Sequence, residues 1–134
     1  MRIPNRPPDA AAVLTGAARG TVRLWQTPQG ILIEANVRNL PETESGFFAF
    51  HIHDSAVGGH YDPAGRPHPQ HAGDLPPLLA CGDRAYLAVR TCRFRLGEIL
   101  GHTAVIHRGP DDFHTQPSGN PGEKIAQGTI CPIP

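Results

Sequence analysis

The sequence predicts an all-β domain of seven or eight short strands, a sandwich or barrel carrying two long loops. Fifteen glycines and fifteen prolines in 134 residues break the chain too often for helices of ordinary length. Apolar residues instead alternate with polar ones in several short runs, the period of a strand with one face on a core. Two polar stretches, 54–77 and 108–123, have neither strand nor helix period, and loops this long inside a compact domain are usually functional. The length suits one domain spanning 1–134, with an ordered core expected over about 11–131, and no repeat or linker divides it.

The elements follow in order. Val13-Leu14 is a short apolar run, and Gly20 to Gln26 alternates as a half-buried strand. Thr27-Pro-Gln-Gly30 is a turn, after which Gly30 to Leu40 returns with Ile31, Ile33, Ala35 and Val37 on one face, completing a hairpin. Gly46 to His53 is dense in aromatic and branched residues and reads as a strand that ends in histidines. Asp54 to Pro77 reads as a structureless loop rich in Pro, Gly and His. Leu78 to Cys81 and Ala85 to Arg90 flank Gly82-Asp83 as a second hairpin by pattern. Thr103 to His107 is a further strand, 108–123 the second loop, and Ile125 to Ile130 the closing strand.

Twelve basic and twelve acidic side chains balance, so no global field favours nucleic acid or an anionic membrane surface, and any steering by charge must be local. Cys81, Cys92 and Cys131 form no CxxC pair and leave at least one thiol unpaired, which argues against a cysteine zinc site and a disulfide scaffold. Met1 to Ala12 holds Arg2 and Arg6 but no apolar run of signal-peptide length, so a cytoplasmic protein is expected; a periplasmic one would follow had a leader been removed.

The histidines carry the chemistry. Five of the eight, at 51, 53, 60, 68 and 71, fall close together and are followed by Asp74. In His51-Ile52-His53 the two imidazoles point to one side of a strand while Ile52 faces the other, which is half of a metal site. His68-Pro-Gln-His71-Ala-Gly-Asp74 places two imidazoles and a carboxylate within a short glycine-bearing loop, a donor set that suits zinc, and His60 is available as the fourth ligand. His107, ending a later strand, would complete a four-imidazole set with His51, His53 and His60, suited to copper by affinity order and geometry. His102 and His114 have no assigned role and are expected at the surface.

These residues resemble the copper/zinc superoxide dismutase family over essentially the whole chain, from about Ala11 to Ile130. Gly46-Phe-Phe-Ala-Phe-His-Ile-His53 is similar to the family's G-F-H-x-H segment with a small insertion, Gly59-His-Tyr-Asp-Pro63 to G-H-F-N-P, and His71-Ala-Gly-Asp-Leu75 to H-x-G-D-L. Ile99 to His107 resembles the strand carrying the last copper ligand, and Pro117-Ser-Gly-Asn-Pro-Gly122 the turn before the final strand. The resemblance implies a Greek-key β-sandwich, or flattened eight-stranded barrel, of immunoglobulin-like architecture whose two long loops form the metal site. It implies copper on His51, His53, His60 and His107, and zinc on His60, His68, His71 and Asp74, with His60 shared and acting in proton transfer. Asp111 matches a carboxylate that joins a copper histidine to a zinc histidine, here His51 and His68. Superoxide is the implied substrate, disproportionated to oxygen and hydrogen peroxide, and a homodimer the implied assembly.

Three departures qualify the match. Lys124 stands where the family usually has an arginine near copper, keeping the charge but losing the planar donor fork. Gln127 replaces the cysteine of the family's loop-anchoring disulfide, whose partner is missing as well. Only Pro69 and Gln70 separate His68 from His71, a shorter stretch than the family commonly has. The first two favour an alternative, a copper-binding or copper-delivery protein on the same fold with little dismutase activity. The complete ligand set and Asp111 favour the enzyme, and argue against a metal-free scaffold.

Overall fold

A computed structural model describes residues 2–134. Nine strands and one helical turn follow in order: β1 (Ala10–Gly16), β2 (Arg19–Thr27), β3 (Gly30–Arg38), β4 (Phe47–His53), β5 (Asp74–Cys81), β6 (Arg84–Thr91), α1 (Leu96–Ile99), β7 (Thr103–His107), β8 (Lys124–Thr129) and β9 (Cys131–Pro132). Every pairing is antiparallel, and the order β2-β3-β6-β5-β4-β7-β8-β1 closes because β1 also pairs β2. The result is an eight-stranded barrel with β9 added as a short edge on β1. It is flattened into two layers, β1, β2, β3 and β6 against β4, β5, β7 and β8.

Alternation fills the interior. Ala12 and Leu14, Val22 and Leu24, Ile31 and Ile33, Phe48, Phe50 and Ile52, and Ala104 and Ile106 point inward and are buried. The alternate residues of β4 and β7, among them His51, His53 and His107, therefore project from the outer face of the second layer. They are nonetheless buried, because loops 54–73 and 108–123 fold over that face.

Two expectations need correction. β5 begins at Asp74, so the first loop ends before Pro77; Pro76 and Pro77 lie beside a register shift in the β4–β5 pairing, where prolines cost no regular ladder bond. The second hairpin exists only at its turn, because β5 meets β6 at Ala80 and Cys81 alone, while β6 pairs along its length with β3. The segment between β6 and β7 also holds α1, whose Leu96 and Ile99 are buried with Phe94. No helix among the described residues is long and apolar enough to cross a membrane.

Candidate metal centre

The strand period sets the first two imidazoles side by side on β4, and main-chain bonds bring the first loop back to them. Tyr61 N donates to Ile52 O at 2.8 Å, Ile52 N to Gly73 O at 2.8 Å, and Gly73 N to Tyr61 O at 2.9 Å. His60 is thereby bridged to His53. Gly73 has no room for a side chain, since a Cβ there would press on the Ile52 carbonyl. His107 arrives from β7 at a register shift against β8, the kind of bulge that re-aims a side chain.

Hydrogen bonds fix which ring nitrogens are free. His53 Nδ1 lies 2.8 Å from Gly58 O and His107 Nδ1 2.9 Å from Gly122 O; a carbonyl only accepts, so both rings donate from Nδ1 and keep a lone pair on Nε2. Those Nε2 atoms face each other at 3.4 Å. On His51 the roles reverse: Nε2 is 2.8 Å from Asp111 Oδ2, and Nδ1 is buried with no hydrogen-bond partner. His60 Nε2 is likewise buried and unpartnered. The four rings offer donor atoms that all lie within 4.8 Å of one another.

A second set meets the first through His60. Its Nδ1 lies 2.8 Å from Asp74 Oδ1 and 3.1 Å from His71 Nδ1. Asp74 Oδ2 is 3.1 Å from His68 Nδ1 and 3.3 Å from His71 Nδ1. His51, His60, His68 and Asp74 also lie within one 4.8 Å group, so His51 borders both sets, while its bond to Asp111 turns its free nitrogen toward the first. His68 Nε2 is held 2.7 Å from Asp111 Oδ1, so one carboxylate orients a ring of each set. Buried polar atoms are almost always paired. His51 Nδ1, His60 Nε2 and His68 Nδ1 form no hydrogen bond and converge with other lone pairs, an arrangement that suits cations. Four nitrogens suit copper; three nitrogens and a carboxylate suit zinc.

Electrostatics prepare the same donors. Burial pushes His53 down to about 4, aided by the charges of His60 and Lys124, and burial likewise lowers His107. Burial and His60 lower His51 against the opposing pull of Asp111. Neutral imidazoles are the metal-binding form. Burial opposes ionisation of Asp74 and Asp111, yet hydrogen bonds outweigh it, from His60 to Asp74 and from His68 and His51 to Asp111, so both carboxyls stay below the usual range.

Lys124 opens β8 opposite His107, is exposed, and donates from Nζ to Ala56 O at 2.8 Å. His114 is exposed. His102 differs from expectation: it is half-buried, lies with its ring centroid 4.7 Å from that of Tyr61, and has Nδ1 2.9 Å from Asp54 O. Gln116, Arg93 and Gly119 also touch the ligand loop, and nothing in their spacing along the chain marks them.

A closed antiparallel barrel bearing two adjoining buried donor sets, with His51 and His60 common to both groups of converging atoms, is the arrangement of a protein that can hold two metal ions. Residues 18–130 match the family described as copper/zinc superoxide dismutase (SODC). The chain is 33% identical to superoxide dismutase [Cu-Zn] 2 of Aquifex aeolicus, covering 86% of this chain and 80% of that one. It is 33% identical to superoxide dismutase [Cu-Zn] of Legionella pneumophila, covering 84% and 78%, and 32% identical to that of Photobacterium leiognathi, covering 87% and 80%. This chain belongs to the copper/zinc superoxide dismutase family.

Proposed function

We propose that the protein is a superoxide dismutase, converting superoxide to oxygen and hydrogen peroxide at a copper centre joined to zinc through His60. The observation that carries this reading is the convergence of His51, His53, His60 and His107, with His60 turning its other nitrogen to Asp74. His51 Nδ1, His53 Nε2, His60 Nε2 and His107 Nε2 would hold copper; the Nδ1 atoms of His60, His68 and His71 with Asp74 would hold zinc. Copper supplies one-electron chemistry in both directions, and zinc, without redox chemistry, sets geometry.

The chain's own residues do the rest. Asp111 keeps His51 and His68 in single orientations, and the carbonyls of Gly58 and Gly122 do so for His53 and His107. His60 Nε2, lacking a hydrogen-bond partner and grouped with the donor atoms of His51, His53 and His107, would hold a proton for departing peroxide when its lone pair is released from copper, since that lone pair serves either the metal or the proton. Lys124 supplies the local positive charge that draws the anionic substrate toward His53 and His107. Three exposed thiols support a reducing, cytoplasmic setting, and resemblance to the family supports a homodimer.

The test is metal content and superoxide dismutation on one copper- and zinc-loaded sample. Activity proportional to bound copper is expected. Full copper occupancy with negligible turnover would instead identify a copper carrier, the reading that Lys124's engagement with Ala56 favours.

A further inference from the structure

The loop bearing His60, His68 and His71 is gripped from two sides by side chains that are not ligands. Arg93, in the segment after β6, directs a single guanidinium nitrogen, Nη1, at two loop carbonyls, 2.8 Å from Pro69 O and 3.0 Å from His71 O. That nitrogen carries two hydrogens, one for each acceptor. From the other side Gln116 pairs with the main chain of His68: Oε1 accepts from His68 N at 2.9 Å, and Nε2 donates to His68 O at 2.7 Å. The backbone is thus held at 68, 69 and 71, two of these being residues whose Nδ1 atoms face Asp74. No disulfide ties this loop down among the described residues.

We propose that Arg93 and Gln116 are positioning residues that set zinc affinity and zinc-site geometry, a non-covalent clasp on the ligand loop; this rests on reading the second donor set as a zinc site. Ligands already held in place lose less freedom when the ion binds. A guanidinium on a carbonyl makes a charge-assisted bond, stronger than a neutral one. The Gln116 amide supplies acceptor and donor together at His68, and a carboxylate at 116 would keep only the acceptor. Lysine at 93 retains charge and several donors.

The experiment titrates zinc against a chromophoric chelator, follows cobalt(II) in the second set by its ligand-field bands, and measures copper affinity in parallel. Arg93→Ala and Gln116→Glu are expected to lower zinc affinity about 10–100-fold and to shift the cobalt bands while copper affinity stays within about threefold, with Arg93→Lys close to wild type. Zinc affinity and cobalt bands unchanged in both variants, even with a lowered melting temperature, overturn the clasp and leave the zinc reading standing. Loss of copper and zinc binding together shows a fold-wide role and overturns it as well. A wild-type protein that takes up no zinc overturns the zinc reading, and the clasp with it.

Discussion

Asp111 Oδ2 lies 2.8 Å from His51 Nε2, and this contact decides that His51 turns its Nδ1 lone pair toward His53, His60 and His107. The other oxygen does the same for His68 at 2.7 Å. Asn at this position offers one acceptor and one donor, so one ring must flip its tautomer and present an N–H to the metal. Asp111→Asn is therefore expected to weaken metal binding about 10–100-fold at one set and to lower activity accordingly, read by metal content after dialysis. Retention of both metals at wild-type affinity would show that the carboxylate orients neither ring.

Gly119 stands directly over this carboxylate. At φ +81° it occupies the left-handed region, and a Cβ there would overlap Asp111 and come within 2.6 Å of His68 Nε2. Gly119→Ala is expected to cost roughly 1–3 kcal/mol in backbone strain alone and to displace Asp111. The outcome is a lower melting temperature together with zinc loss, measured on one preparation. A variant that keeps its zinc would mean the second loop yields without disturbing Asp111.

The strands and the candidate ligands are legible in the sequence for the same reason, that both rest on local periods. Ile31, Ile33, Ala35 and Val37 declare the inner face of β3, and His51-Ile52-His53 declares an outer face bearing imidazoles. β5 is partly hidden because Pro76 and Pro77 read as loop, and only its pairing shows that a register shift excuses them. Arg93 and Gln116 stay invisible because their partners are main-chain atoms remote along the chain, and a carbonyl carries no side-chain signature. His102 is misread as a plain surface residue because its partners, Tyr61 and Asp54 O, likewise come from a distant loop.

Loop 54–73 contributes few residues to the hydrophobic core, chiefly Tyr61 with Ala72 against it. Its order is then expected to depend on the ions its candidate ligands would bind. A metal present at a thousandfold excess over its Kd stabilises by about 4 kcal/mol, and each kcal/mol moves the melting temperature by about 2–8 °C for domains near this size. Chelation is expected to lower the melting temperature by more than about 10 °C, with restoration on adding zinc and copper. An unchanged transition after verified metal removal would show that hydrogen bonds alone hold the loop.

The metal-free protein is expected to be acid-labile in a defined window. His53 is pushed from the ordinary 6.5 to about 4, with His51 and His107 lowered too, so between those limits the unfolded chain binds protons that the folded chain refuses. Stability therefore is fullest above about 6.5 and declines as pH falls toward 4, with a slope of up to about 1.4 kcal/mol per pH unit for each proton. Asp74 and Asp111, held below 3.8, add stability that is lost only at lower pH, in the same direction. Urea unfolding of metal-free protein at pH 7, 5.5 and 4.5 checks the trend. Equal midpoints would mean that the imidazoles protonate in place.

Under the proposed function, Lys124 supplies the charge that attracts the substrate to the centre. Its ammonium donates to Ala56 O at 2.8 Å, yet its charge is felt at His53 and His107, so it sits at the rim with part of its hydrogen-bonding capacity already engaged. Lys124→Ala is expected to slow dismutation most at low ionic strength. The deficit should shrink with added salt, because the screening length falls from about 30 Å at 0.01 M to about 3 Å at 1 M. Lys124→Arg keeps the charge and adds a forked donor, one arm of which can hold Ala56 O while others face the incoming anion. It is expected to exceed wild type at low salt. An alanine variant as fast as wild type across that range would place the attracting charge elsewhere and leave Lys124 as a tether for the 54–59 segment.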